Sequence, residues 1–435
     1  LSGPISDSLA YSIGGNYNVR DGYAENVTLG TKLNDRNRHS IQGQLLYQPQ
    51  DSIEFRLIAD YDKLDEVCCY APNIVNGPTG AAVAALGGQI ISNPFSYRTT
   101  LTTDPTNVVE NYGVSLHGDI DLNENFTLTS ISSYRSSFNE NDSDVDFNSA
   151  PIIADNPKSL DIETFTQELR LASNFDGPFN GIVGAYLFSE DLTQTDGIHF
   201  GSAFRPYASL LAGDPTFAVF GGLEAATGNP AGTFFAQGAG VDETATQSNT
   251  TFNAFGQFDY EVSDRLTATV GIAYVNDKKT VTVSQANTDV FSNTDFFTGF
   301  FAQTYAGAIA GTPLAACGLT PTQASVACVN ANAPGTVDAI AAGVQAQVGP
   351  LGALQFLPQL IGIPNGVEDG KSKDTNVDYS FRLAYDASDS INVYGSYSTG
   401  YKATSWNLSR DSKPTAASIA ALYPTANPLY PFGTG

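Results

Sequence analysis

Residues 249–279 read NTTFNAFGQFDYEVSDRLTATVGIAYVNDKK, an alternation of apolar and polar residues that pauses at Val262–Arg265 and then resumes. One set of alternate positions carries Phe252, Ala254, Gly256, Phe258 and Tyr260, and the interleaved set is mostly polar. A period of two predicts a strand, a turn and a second strand. Each arm alternates for ten residues or more. That is long for a soluble sheet but suits a strand that crosses a bilayer at a tilt, which needs about 9–11 residues.

The same hairpin pattern recurs along the chain. The turns lie at Gln48–Asp51, Asp121–Glu124, Phe175–Pro178 and Ala387–Ser390. With one more alternating segment at Leu9–Val19, the period-two pattern predicts about eleven strands.

The connections between the predicted strands are sorted by length. Every second connection is a tight polar turn, and the others are long: 20–37, 65–106, 143–159, 194–245 and 284–370. Short turns at one end and long loops at the other are typical of an outer-membrane barrel. Loops this long argue against a compact soluble domain. The sequence therefore predicts an all-β fold, an antiparallel up-and-down segment of a transmembrane β-barrel.

The two faces of each predicted strand differ in polarity. Val377, Tyr379, Phe381 and Leu383 alternate with Asn376, Asp378, Ser380 and Arg382. Because an Arg facing lipid near the midplane costs roughly 2–4 kcal/mol, the polar rows should face an aqueous lumen and the apolar rows lipid. Aromatic residues near strand ends fit interfacial girdles: Tyr47, Tyr61, Tyr134, Tyr260 and Tyr274.

Composition narrows the class of protein further. Charged residues make up 15% of the 435 residues, against about 25% in a typical chain. The net charge of −25 disfavours nucleic-acid binding. The simplest reason for so many acidic residues is that they keep exposed loops soluble. The chain contains no run of about 18 apolar residues, so the sequence predicts no membrane-spanning helix. The chain starts at Leu1 and has no Met, so we expect the start of the gene product to be missing.

Four cysteines, Cys68, Cys69, Cys317 and Cys328, fall in predicted loops. An even number of loop cysteines in an exported protein suggests disulfides. Cys317–Cys328 is the easiest local bridge, and Cys68 and Cys69 pair with each other or elsewhere. Sequence alone does not choose among the three connectivities.

Four segments resemble barrel segments of the TonB-dependent outer-membrane receptors. They are RDGYAENVTLG (Arg20–Gly30), IADYDKLDEVCCYAP (Ile58–Pro72), TQELRLAS (Thr166–Ser173) and VYGSYSTGYKATSWNLS (Val393–Ser409). The resemblance implies an outer-membrane location in a Gram-negative bacterium and contact with outer-membrane lipid. It also implies active uptake of a scarce small-molecule solute, such as a ferric siderophore, with energy from the TonB complex.

The chain also departs from the family pattern. Members carry an N-terminal plug with an energy-coupling box and a barrel of about 22 strands. Residues 1–435 therefore resemble a partial barrel, about 11 strands of a larger one, with the plug absent and TonB coupling left to the missing plug. We expect an open curved sheet with two unpaired edges, which on its own neither inserts stably nor transports.

Motifs for catalysis or metal binding are weak. Asp142, Asp144 and Asp146 suggest the start of a calcium loop, but Phe147 and Ile153 occupy positions where an EF-hand needs Gly and Glu, which leaves only a looser divalent site. The three histidines, His39, His117 and His199, are scattered, with His199 in a predicted loop. We therefore expect no enzyme activity, no resident metal and no cofactor.

The candidate ligand contacts are cationic and aromatic residues. Lumen-facing cations that suit an anionic solute or the plug are Arg56, Arg135, Arg170, Arg382 and Lys402, and the alternative is that each pairs with a wall carboxylate such as Glu54, Glu168 or Asp378. By the resemblance, ligand contacts come from the plug and the outer loops, which adds Tyr70, Tyr401 and Trp406. Trp406 has the alternative role of marking the outer interface.

Three other functions remain open at this point. The first is a passive porin, which the absence of a plug-encoding region in the complete gene would favour. The second is a surface adhesin, which loops that bind host or matrix would favour. The third is a soluble all-β protein, which a monodisperse monomer without detergent would favour.

Overall fold

A computed structural model describes residues 1–77, 79–294, 296–311, 326–327, 329, 331, 334–348, 362–365 and 368–408. Within these residues the dominant element is one antiparallel sheet. The strands are β1 (Ser2–Ser6), β2 (Leu9–Arg20), β3 (Ala24–Asn26), β4 (Thr31–Leu33), β5 (Arg36–Gln50), β6 (Ile53–Glu66), β7 (Arg98–Thr99), β8 (Thr106–Asn123), β9 (Phe126–Asp142), β10 (Ile153–Asp155), β11 (Lys158–Ser173), β12 (Phe179–Phe200), β13 (Gly240–Ser263), β14 (Leu266–Asn287), β15 (Lys371–Ser388) and β16 (Ile391–Ser398).

The sheet is an open meander. Each long strand pairs with the next long strand in the order β1-β2-β5-β6-β8-β9-β11-β12-β13-β14-β15-β16, and β10 adds to the far end of β12. A second, three-stranded sheet, β4-β3-β7, lies among the long loops. β1 and β16 are the edges of the meander, so the described strands do not close a barrel. The predicted all-β, open, up-and-down sheet is confirmed.

The meander has twelve strands, one more than the predicted number of about eleven, and the additional strand is β1. β1 reads SGPIS, and Gly3 and Pro4 argue against a strand. Proline lacks a backbone N–H and is tolerated on an edge strand, which is where β1 lies.

The long strands also extend further than predicted at the long-loop end. The predicted loop 194–245 is shortened at both ends, because β12 runs to Phe200 and β13 begins at Gly240, with Thr195 directly opposite Thr244. Polar residues occupy both faces there, so the apolar alternation stops although the backbone ladder continues. The sorted lengths of the connections are otherwise as predicted.

The apolar rows form a continuous outer face. Cross-strand partners share a face, and the register places Val183, Phe258, Val270 and Phe381 on the same side of neighbouring strands. Val270 is 51% exposed and Ile272 54% exposed, so no second protein layer of the described chain covers this face. An exposed apolar face of this size needs lipid or another protein against it.

The buried core lies instead in the long loops. The helices are α1 (Thr79–Ala85), α2 (Phe204–Leu211), α3 (Val219–Thr227), α4 (Val290–Asn293), α5 (Phe296–Gly311) and α6 (Thr336–Val348). Phenylalanines of α2–α5 and their connections pack together: Phe204, Phe220, Phe234, Phe235, Phe291 and Phe296. Cys317 and Cys328 lie outside the described residues.

None of the described helices is both long and apolar enough to cross a membrane.

Candidate functional site

The polar face of the sheet is a wall of paired charges. Arg135 donates to both carboxylate oxygens of Asp60, at 2.7 and 3.0 Å, across the strand that lies between them. Gly113 on that intervening strand leaves room for the guanidinium, since a Cβ there would lie 3.0 Å from Arg135 Nη2. Two further pairs are Arg56–Glu54 at 3.1 Å and Arg170–Glu168 at 3.2 Å. Three of the predicted lumen cations therefore pair with wall carboxylates, which was the alternative to ligand contact.

Arg382 has a different environment. Its guanidinium lies 4.5 Å from the ring centre of Tyr394, on the same polar face. Within the described residues it forms no ion pair with a carboxylate. A guanidinium stacked on an aromatic ring keeps its donors directed outward and has both a charge and a flat surface to offer a solute.

The segment that follows β16 folds back onto the polar face at the long-loop end. Thr404 donates its backbone N–H to Asp374 at 3.0 Å, and Trp406 Nε1 donates to Ser372 at 3.4 Å. The Trp406 ring packs against the buried cluster of Ala245, Val281 and Val283. All of these side chains lie on the polar face of the sheet, so Trp406 is not part of the exposed apolar face.

Tyr401, Lys402 and Trp406 thus lie close together on this returning segment. Tyr401 lies near Asp374, and Lys402 is exposed. Arg170 and Arg382 lie near the short-turn ends of β11 and β15 instead. The predicted ligand contacts therefore fall into two groups at opposite ends of the polar face and do not form a single site.

Tyr70 belongs to the loop layer and not to the wall. Its hydroxyl donates to the carbonyl of Pro94 at 3.2 Å, and its ring packs against Ala24, Leu33 and Leu101. It lines a cavity of about 400 Å³ together with the adjacent Cys68 and Cys69, which form a disulfide with each other.

The carboxylates of the acidic loop 143–157 hold neighbouring backbone segments in place. Asp144 accepts the backbone N–H of Thr102 at 2.7 Å, and Asp146 accepts that of Ile153 at 2.8 Å. Burial and the neighbouring Asp144 raise the pKa of Asp146 to about 7. Within the part of the chain that the structure describes, no group of three or more His, Cys, Asp or Glu side chains is arranged to hold a metal ion. The looser divalent site considered from the sequence is not formed by these residues.

A histidine bridge was missed by the sequence analysis. His199 lies on β12 and not in the predicted loop. Its Nδ1 contacts Asp155 of β10, and its Nε2 lies 3.2 Å from Asp242 of β13. Burial alone would lower the pKa of His199, but the two carboxylates outweigh it and raise the pKa above its ordinary value. Only the imidazolium donates from both ring nitrogens, so the charged form ties β10 to the main sheet.

A buried ion pair in the loop layer is centred on Glu224 of α3. Its carboxylate accepts from Arg205 Nη1 at 2.6 Å and Nη2 at 3.0 Å, and from the backbone N–H groups of Phe234 at 2.7 Å and Gly232 at 2.9 Å. Burial raises the pKa of Glu224, but these hydrogen bonds outweigh it, and the pKa falls to about 2. This carboxylate therefore joins α2, α3 and the segment 232–234 within the one long connection between β12 and β13.

Comparison with known proteins addresses the fold. No family model matches the sequence, and no curated protein matches it either. Among solved structures, the ferric yersiniabactin uptake receptor FyuA from Yersinia pestis matches with a TM-score of 0.53 at 14% identity. The match covers 91% of this chain and 43% of FyuA, so the chain spans less than half the length of that receptor.

Two further structures overlap less closely. The siderophore receptor PiuA from Acinetobacter baumannii has a TM-score of 0.49 at 11% identity, over 91% of this chain and 46% of its own. The ferric-catecholate import receptor Fiu from E. coli K12 has a TM-score of 0.47 at 11% identity, over 91% and 51%. The match to FyuA shows that the described sheet has the fold of part of that uptake receptor.

Proposed function

We propose that the chain forms part of the wall and outer loops of an outer-membrane receptor that takes up a scarce solute. The observation that carries the proposal is the division of the sheet into two faces. One is an exposed apolar band with aromatic residues at its margins, and the other is a polar wall rich in charged pairs. Lipid suits the first face and an aqueous passage the second.

The long loops favour a receptor over a simple pore. They build their own buried core of phenylalanines and hold it with the Arg205–Glu224 pair. A folded layer above the wall offers a shaped surface to a solute, whereas a passive pore needs only an open path. The solved structure with the higher fold similarity, FyuA, is a ferric yersiniabactin uptake receptor. By that analogy we propose a metal chelate as the solute and TonB as the source of energy.

The proposed solute contacts are the cations and aromatic groups of the polar face and the returning segment that keep at least part of their surface exposed. Arg382, Tyr401, Lys402 and Trp406 face the lumen side or lie on the segment that returns to it. An anionic chelate would pair with the two cations and lie against the rings. The proposed role is transport without covalent chemistry.

Uptake of labelled solutes by cells that lack the gene tests the proposal. We expect the deletion to abolish the saturable uptake of at least one labelled iron chelate, and the restored gene to recover it. A protonophore should stop the same uptake in wild-type cells, because active transport needs energy. Uptake that survives the protonophore would indicate a passive porin. Unchanged uptake of every tested solute, together with lost adhesion, would contradict the proposal in favour of an adhesin.

A further inference from the structure

Three lysines form a cluster on the lipid side of the sheet. Lys278 on β14 lies directly opposite Lys373 on β15, and Lys371 lies two positions further along β15 on the same face. All three are exposed. Like charges directly opposite each other on a sheet destabilise it unless an anion lies between them.

No described part of the chain supplies that anion. The protein has 45 acidic and only 20 basic residues, yet none of the three lysines forms an ion pair with a described carboxylate. Asp369, two residues before Lys371, accepts the backbone N–H of Lys371. By contrast, Lys63 on the same outer face pairs with Glu110 at 3.8 Å.

The height of the cluster on the sheet identifies the anion. The outward row of β14 is apolar from Leu266 to Tyr274, nine residues, which is the length that spans the hydrocarbon layer. Its next outward residue is Asn276, which lies opposite Thr375, and Lys278 and Lys373 form the rung after that. At about 3.3 Å per residue and a tilt near 40°, these lysines lie roughly 10 Å above the Tyr274 ring, at headgroup level.

We propose that Lys278, Lys371 and Lys373 bind the phosphate of a lipid headgroup in the leaflet on the long-loop side. The inference rests on the membrane placement proposed above and adds a specific lipid contact to it. Three ammonium groups within one or two rungs of a sheet are enough to neutralise a phosphate monoester, whose charge is about −1.5 to −2 at pH 7. The exposed apolar row beneath them accepts the acyl chains of the same molecule.

Lipid binding by the detergent-purified protein tests the proposal. The probes are dioctanoyl phosphatidic acid and dioctanoylglycerol, which differ only in the phosphate. We expect wild-type protein to bind the phosphatidic acid at least tenfold more tightly. Each lysine near an anionic headgroup contributes roughly fivefold in affinity at low salt. The triple variant K278Q/K371Q/K373Q should therefore lose on the order of 100-fold, and the double variant K278Q/K373Q should lose less.

The matched control is K63Q, which removes an outward lysine that already has a carboxylate partner and should leave binding unchanged. A shift in gel mobility on heating shows that wild-type and triple-variant protein are both folded. Equal binding of phosphatidic acid by the two folded proteins would overturn the proposal. Displacement of the lipid by an equimolar amount of inorganic phosphate would also overturn it, because the site would then be one for free anions. Solute uptake by the triple variant is measured separately. If the triple variant loses lipid binding but still supports uptake, the result supports this site. If the triple variant binds lipid as wild-type protein does, and the deletion strain still loses uptake, the lipid site is wrong and the proposed function stands.

Discussion

Val270→Arg is expected to reduce the amount of folded protein in the outer membrane at least tenfold. Val270 is at the centre of the apolar row that runs from Leu266 to Tyr274 on β14, and it is half exposed on the lipid side. A guanidinium at the midplane of a barrel wall costs about 2–4 kcal/mol, and each 1.4 kcal/mol changes an equilibrium tenfold. The measurement is the heat-modifiable fraction of the protein in purified outer membranes.

Ala273→Arg is the matched control for this variant. Ala273 lies three residues further along the same strand but on the polar face, directly opposite Asp378. An arginine there gains a carboxylate neighbour and water, so we expect folded protein close to the wild-type amount. If Val270→Arg assembled as well as Ala273→Arg, the assignment of the two faces would be wrong.

Glu224→Gln is expected to loosen the outer loops without removing the wall. Glu224 is fully buried and receives four hydrogen bonds, two of them from Arg205. Removal of one partner from a buried ion pair typically costs 3–5 kcal/mol, because the other charge is left without compensation. We expect rapid proteolytic cleavage within 201–239 in the variant, while the membrane-embedded strands stay protected. The measurement is limited proteolysis of whole cells followed by mapping of the cleavage sites.

The control is Glu124→Gln in the exposed turn between β8 and β9, which should leave the loop cleavage rate unchanged. Acid should act on wild-type protein in the same sense as the variant. The folded pKa of Glu224, about 2, is below the ordinary 4.5, so its stabilising contribution is complete above pH 4.5 and is lost as the pH falls toward 2. Equal cleavage of Glu224→Gln and wild-type loops at neutral pH would contradict the structural role of this carboxylate.

The strands within the membrane-sized part of the sheet could be predicted because a physical constraint acts on every residue. Positions such as Phe252 and Asn253 lie on the apolar and the polar face in turn, so the period of two is visible without any knowledge of tertiary contacts. Towards the long-loop end both faces of the strands carry polar residues. The pairing of Thr195 with Thr244 therefore produces no apolar–polar alternation from which the strands could be predicted.

The loop layer could not be predicted for a different reason. Its stabilising contacts join residues far apart in the chain: His199 with Asp155 at a separation of 44, and Asn26 with Leu101 at a separation of 75. Each partner taken alone is an ordinary polar residue in a loop. The vicinal position of Cys68 and Cys69 was the one local signal, and the sequence left their pairing open. The ligand contacts stay proposals for the same reason, since their neighbours come from several strands.

A spin-label scan along β14 tests the central claim most directly. Single cysteines at Ala268, Val270, Ile272 and Tyr274 would be labelled and compared with cysteines at Thr267, Thr269, Ala273 and Val275. The two-faced wall predicts that the first set is relaxed by oxygen, which concentrates in lipid, and the second by a water-soluble nickel chelate, in strict alternation. Labels of the first set that were shielded from both reagents, as in a packed protein interior, would contradict it.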